Sequence, residues 1–442
     1  MGRFFLISIL ILAGLLHPLS VAAAPRAGIQ VLDQSAESRF PDRFVFRLRA
    51  RSDGGQITGA TLYLQVGWEK ATRLIPAESF NPASEVELTA VWSTSGETVP
   101  PFIEVAYHWE ITDSTGEKLV TEPVYTEYTD ATHNWQRLED EHVIVFWYDR
   151  SADFGQALFQ AAQEAYDHVS RITGTTTERP IRVVIYNDQD DFCAFYAPRT
   201  CEPWIGGQTF AGITVQWGSD LDWFVYDVIP HELAHVFYGE IFRNTWVTIP
   251  TWFNEGIAVY NERTDHSQEI ERVREAAERG ELRSLPVMTR GGGVVHGEVS
   301  LWYAIAYSLV AFIADTYGEE TLGELILTLA DNVPFEEALQ QTTGLDMVQL
   351  EIEWREWLGY PVESVPTPIT LPTMAVTPFV LPTVPRGKPA ATATPRPSPT
   401  PTATPTPTPE GSGPEGGLCP GIIGLILPGW GLVGWSVAHR RR

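Results

Sequence analysis

Cysteine is scarce in this chain: three among 442 residues, at positions 193, 201 and 419. No second Cys pair and no clustered His accompanies Cys193 and Cys201, so the pattern offers no thiolate zinc site. Positive charge is short as well. Thirty Lys and Arg stand against 56 Asp and Glu, a formal net charge of −26, which argues against nucleic acid or an anionic membrane surface as partner. What the chain does have is apolar and aromatic residues: 44% hydrophobic, with 15 Trp, 15 Tyr and 20 Phe. That supply suits well-packed globular cores, and the length allows two domains with linkers.

The ends differ from the middle. Arg3 precedes an apolar run from Phe4 to Leu16, and Val21-Ala22-Ala23-Ala24 follows. A short apolar stretch ending in small residues reads as a signal peptide over 1–24 rather than a membrane anchor. Export suits a disulfide between Cys193 and Cys201, the alternative being two buried free thiols. Residues 361–416 are dominated by Pro, Thr, Ala and Ser; such a segment cannot bury a core and forms an extended, polyproline-like stalk. At about 3 Å per residue it spans on the order of 100 Å or more. Residues 417–442 end in His439-Arg440-Arg441-Arg442 after an uncharged stretch. That reads as a transmembrane segment or, equally, a cleaved C-terminal sorting signal.

Between these ends lie two regions. Residues 25–135 carry short β-rich runs: 28–32, 44–50, 60–66, 86–92, 103–112 and 120–125. Breaks such as Ser52-Asp53-Gly54-Gly55 separate them, and the count suggests an all-β immunoglobulin-like sandwich. It carries no visible chemistry; spacer, docking module or packing support are its candidate roles. Residues 140–360 alternate early between strand and helix: a buried strand at 142–148, a helix over 154–171, a strand at 181–186 and a hairpin across 204–217. Helical patterns follow at 267–279, 302–313, 321–330 and 345–358, with Gly291-Gly292-Gly293 as a flexible break.

The chemistry sits in His231-Glu232-Leu233-Ala234-His235 and in Glu255, twenty residues after His235, within Trp252-Phe253-Asn254-Glu255-Gly256-Ile257-Ala258. Two His residues four apart on a helix face one metal ion. Zn2+ favours such nitrogen ligands and, in a catalytic site, keeps a position for water. Glu232 would lie beside that water as a general base, and Glu255 would supply a third, anionic ligand. A solvated surface helix is the bland alternative, but this stretch is apolar: Phe224, Val228, Ile229, Leu233, Val236 and Phe237 surround the pair. Pro230 should start the helix afresh or kink it.

His-Glu-x-x-His followed by Asn254-Glu255-Gly256 resembles the gluzincin metallopeptidases, most closely the bacterial peptidase MA-like domains. The run Asn254 to Glu262 is also similar to the third-ligand helix of membrane alanyl aminopeptidases. The resemblance covers roughly residues 140–360. It implies an α+β, thermolysin-like catalytic domain, His231, His235 and Glu255 as ligands, and Glu232 as the base. It also implies an edge strand just ahead of the zinc helix for an extended peptide substrate, and an oxyanion donor from the later helices. Tyr303 and Tyr307 are the candidates, His296 a weaker one. Two features depart from the family. Val259 stands where thermolysin-like enzymes place an Asp behind a ligand His, leaving Asp227 or Glu262 to fill that role. No Gly-x-Met-Glu-Asn segment is present to capture a free amino terminus, so an endopeptidase is favoured over an aminopeptidase. The expectation is a secreted zinc metallopeptidase held at the cell surface by a C-terminal membrane anchor. A surface adhesion protein with a non-catalytic metal site is the competing class, and a hydrolase of non-peptide amides a third.

Overall fold

The computed structural model describes residues 28–203, 205–289, 299–362 and 434–436. These fall into two compact units. The first runs to Arg243 apart from Ser170–Thr175; the second takes that short segment and the helices from Asn244 onward. The signal region, residues 363–416 of the stalk, the triple glycine and His296 lie outside the described residues, as does all of 417–442 except Gly434–Ser436.

The first unit begins with β1 (Ile29–Arg39), β2 (Arg43–Ser52), β3 (Ile57–Val66), β4 (Thr72–Pro76), β5 (Glu85–Ser93), β6 (Glu104–Asp113), β7 (Lys118–Val120) and β8 (Val124–Glu127). In β5 and β6 alternate side chains are buried, the period-two signature of strands with one face on a core. They pair antiparallel into two sheets, β1-β2-β5 and β4-β3-β6-β7, with β8 also on β6. Phe44, Phe46, Leu62, Leu64, Trp92 and Trp109 form part of their shared core. The single strand expected at 120–125 is instead two. Pro123 separates β7 from β8, because proline has no N–H for the ladder.

A third, mixed sheet follows in the same unit, with helices among its strands: β9 (Gln136–Glu139), β10 (Val143–Trp147), α1 (Ala152–Thr173), β11 (Ile181–Tyr186), α2 (Gln189–Phe192), β12 (Ile205–Phe210), β13 (Ile213–Trp217), α3 (Leu221–Trp223) and α4 (Ile229–Ile241). Its strand order is β9-β10-β11-β13-β12-β14, where β14 is Gly434–Ser436. β10, β11 and β13 are parallel, while β12 folds back antiparallel on β13. Every residue of β10 and β11 is buried, so these are continuous apolar runs rather than alternating ones, as for strands covered on both faces.

One face of this sheet joins the core of the N-terminal sheets through Ile144, Phe146, Tyr148, Val184, Tyr186, Ile213 and Val215. Phe102 stacks on Phe146 with ring centroids 4.2 Å apart. Arg179 and Arg182 reach Glu104 at 2.6 and 3.5 Å, and Arg182 and Arg137 reach Glu127 at 3.4 and 3.0 Å. At the tip of the β12–β13 hairpin, the Trp68 N–H donates to the Ala211 carbonyl at 3.2 Å. Gly212 follows with φ +91°, its backbone against the Trp68 ring, where a Cβ would fall 2.7 Å from the indole. The opposite face of the sheet carries the helices: α4 lies over β11, β12 and β13, and Gly155 of α1 seats on the Trp147 ring.

The second unit is helical: α5 (Thr251–Tyr260), α6 (Ser267–Glu278), α7 (Leu285–Thr289), α8 (Val299–Tyr317), α9 (Glu319–Ala330), α10 (Phe335–Thr343) and α11 (Met347–Trp357). α5, α6, α9 and α11 all pack on α8. Among the described residues α8 alone is long and apolar enough to cross a membrane, but most of it is buried in protein, as a core helix would be. The Trp354 Nε1–H, itself buried, donates to Ser308 Oγ of α8 at 3.1 Å. α11 starts on a capping box in which Asp346 and Gln349 satisfy each other's backbone N–H groups. α7 and α10 are additions to the helices expected from the sequence. α10 reads Phe335-Glu336-Glu337-Ala338-Leu339-Gln340-Gln341-Thr342-Thr343, too polar for a clear apolar period, and is held by Phe335 against Trp252 and Phe253.

Candidate metal centre

The approach to α4 is unusual. A single π-helical turn, Phe224–Val228, precedes it, and Pro230 is its second residue. Val228 and Ile229 both keep helical φ and ψ, so the helix runs on through this point; the Ile229 N–H reaches back five residues to the Phe224 carbonyl, and Pro230, which has no N–H to return, follows directly on that widened turn. The chain neither restarts nor breaks at Pro230; the irregularity lies one turn earlier, in the widened turn that carries Asp227.

His231 and His235 follow on one face of α4, both buried, with their Nε2 atoms 3.1 Å apart. Two nitrogens at about 2.05 Å from a tetrahedral zinc lie about 3.3 Å from each other, so the pair already has nearly the required spacing. One ligand atom from each of His231, His235 and Glu255 lies within 4.8 Å of the others. Glu255, on α5, is itself buried, in a helix where Trp252, Phe253, Ile257 and Ala258 are buried too. The donor set is two imidazoles and a carboxylate, which fits a divalent metal of the zinc type.

Glu232, between His231 and His235 in sequence, is buried, and its Oε2 accepts a hydrogen bond from Thr209 Oγ1 at 2.5 Å. Thr209 lies on β12 opposite Thr214 of β13, and their hydroxyl oxygens are 2.9 Å apart. Gln216 Nε2 in turn donates to Thr214 Oγ1 at 2.7 Å. These strand residues are absent from the candidates that the motifs supply. Their signal is Thr214 and Gln216 at alternate positions of an otherwise apolar β13, but the meeting with Thr209 needs the strand register to be read.

Tyr303 and Tyr307 sit one turn apart on α8, both half-buried. The Tyr303 ring packs on Trp302, and that of Tyr307 on His266 with centroids 4.4 Å apart. Burial, reinforced by Asp315, Asp265, Glu269 and Glu262, pushes the Tyr307 hydroxyl above its usual range. Glu262 lies with its carboxylate 3.5 Å from His266 Nε2. His266 is thus a half-buried member of this cluster that no sequence motif singles out. Cys193 and Cys201 are joined as a disulfide with their Cα atoms 5.6 Å apart.

Two buried His, a buried Glu between them and a converging carboxylate invite comparison with known proteins. Residues 161–360 match the Peptidase MA superfamily. That stretch contains α4 and α5, the helices that carry His231, His235 and Glu255. No curated protein matches the chain. Among solved structures, an aminopeptidase N family protein from Idiomarina loihiensis is 9% identical, with 73% of this chain and 74% of that one covered and a TM-score of 0.35. A Niemann-Pick type C2 protein from Japanese carpenter ant is 11% identical, covering 22% of this chain and 89% of that one at a TM-score of 0.17. A sulfane dehydrogenase from Paracoccus pantotrophus is 15% identical, covering 20% of this chain and 23% of that one at 0.14. Likenesses at these scores carry no argument. The Peptidase MA match does: this region has the pattern of a peptidase hydrolase.

Proposed function

We propose that this chain is a secreted zinc peptidase held at the cell surface, an endopeptidase rather than an aminopeptidase. The observation that supports it is the convergence of His231, His235 and Glu255 ligand atoms within 4.8 Å, with a buried glutamate next in sequence to the first of them. Three protein ligands leave a position open, as in catalytic rather than structural zinc sites. When bound, zinc would polarise the scissile carbonyl and acidify a water. Glu232 takes a proton from the attacking water and returns it to the leaving amine. Tyr303 or Tyr307 donates a hydrogen bond to the oxyanion that develops; Tyr307, with its raised pKa, keeps its proton at neutral pH. In this reading the N-terminal sheets are an immunoglobulin-like sandwich, the remainder is a thermolysin-like domain, and the stalk and C-terminal segment hold both at the membrane.

The test uses the full chain as wild type, Glu232→Gln, His231→Ala and Glu255→Ala, measuring zinc content and cleavage of a quenched peptide library with blocked termini. We expect about one zinc per chain in wild type and Glu232→Gln, with cleavage in wild type only, and loss of zinc in the other two. Zinc without cleavage in wild type would overturn the peptidase reading in favour of an adhesion protein or a hydrolase of non-peptide amides. Full zinc in both ligand variants would remove the ligand assignment.

A further inference from the structure

Resting on the peptidase reading, we infer that Thr209, through a directed hydrogen-bond chain Gln216–Thr214–Thr209, is the positioning residue for the Glu232 carboxylate. A threonine hydroxyl has one hydrogen, and a carboxylate can only accept. With Thr209 Oγ1 2.5 Å from Glu232 Oε2, its hydrogen goes to Glu232. Thr209 must then accept from Thr214 Oγ1, 2.9 Å away, and Thr214 accepts from the Gln216 amide at 2.7 Å. Every hydrogen in the chain therefore points toward the carboxylate. Such chains polarise one another, so the last donor is stronger than an isolated hydroxyl.

The backbone is arranged for this purpose. Thr209 faces Thr214 and Gly207 faces Gln216 across the β12–β13 ladder, so the four positions share the sheet face that carries α4. Thr214 and Gln216 are buried, away from competing water. With Gly at position 207 the Gln216 amide has room to turn back to Thr214: a Cβ there would fall 1.4 Å from Gln216 Oε1 and push the amide out of this orientation. The hydroxyl fixes one carboxylate oxygen, Oε2; in the peptidase reading the other, Oε1, serves the attacking water. A general base held in this way keeps the near-attack geometry that a freely rotating carboxylate loses.

The test compares full-length wild type, Thr209→Val, Thr209→Ser and Thr214→Val on the peptide that wild type cleaves fastest. It is combined with zinc content and with crystal structures of the metal-free proteins. Valine keeps the shape and removes the hydroxyl; serine restores it. We expect kcat to fall on the order of tenfold to a hundredfold in Thr209→Val. KM should stay within about twofold, zinc should be unchanged, and Thr209→Ser should recover most of kcat. The Glu232 carboxylate should swing away in the valine variant and keep its place in the serine one. Wild-type kcat in Thr209→Val, or no recovery in Thr209→Ser, would overturn the inference. If Thr209→Val does not fold, Thr214→Val decides: reduced kcat at unchanged KM sustains the chain, and full kcat ends it. If wild type cleaves nothing, the peptidase reading fails on its own and the crystal structures still decide. Glu232 unmoved in all variants would overturn the positioning role.

Discussion

At the scale of single residues, what could be read from the sequence is what the α-helix fixes locally. A four-residue spacing puts His231 and His235 on one face whatever surrounds them, and their Nε2 atoms are 3.1 Å apart. Thr209 could not be found that way, because its meeting with Glu232 depends on which residues of β12 and β13 face each other. The tyrosines lie between these cases. Tyr303 and Tyr307 share a face of α8, but the rings they pack against are Trp302 and His266. Single changes to Phe separate packing from chemistry, since the ring stays and only the hydroxyl goes. Loss of the oxyanion donor should lower kcat on the order of a hundredfold or more in one of the two variants. Full turnover in both would take them out of the mechanism.

At the scale of elements, strand and helix existence follows period and turn chemistry closely: β11 lies at Ile181–Tyr186 as expected, and α6 spans Ser267–Glu278. What stays hidden are elements whose own period is weak and whose order comes from neighbours, such as α10 under Trp252 and Phe253. The closeness of α5 to α8 is likewise not legible, because it rests on one missing side chain. A Cβ at Gly256 would fall 2.5 Å from the Ala306 carbonyl oxygen and 2.8 Å from Val310 Cγ2. Backbone cannot step aside, so Gly256→Ala should cost about 1–3 kcal/mol and lower Tm by several degrees. Gly239 in α4 is the opposite case, since a Cβ there would meet no atom within 4 Å. At that position Gly→Ala should raise stability by up to about 1 kcal/mol, the ordinary helix preference. Calorimetry showing the two substitutions alike would refute the packing argument.

At the scale of the whole molecule, the sequence divides into an all-β segment and a catalytic one with a gap at 136–139. That gap is filled by β9, and across it the sheet of β10, β11 and β13 shares its interior with the N-terminal sheets. Seven side chains, Ile144, Phe146, Tyr148, Val184, Tyr186, Ile213 and Val215, cover that face. At about 1.5–3 kcal/mol for each buried large apolar group, their burial is worth on the order of 10 kcal/mol, comparable to the full stability of an ordinary domain. A fragment over 140–360 should therefore aggregate on size exclusion, whereas one over 26–360 should elute as a compact species; a soluble, cooperatively melting 140–360 fragment would contradict this. The sheet beneath α4 shares its other face with the N-terminal sheets instead of presenting it to solvent. Cutting at residue 140 opens an interior instead of freeing a part, so the smallest piece that can be cloned, fused or exchanged with its chemistry intact begins with the first strand.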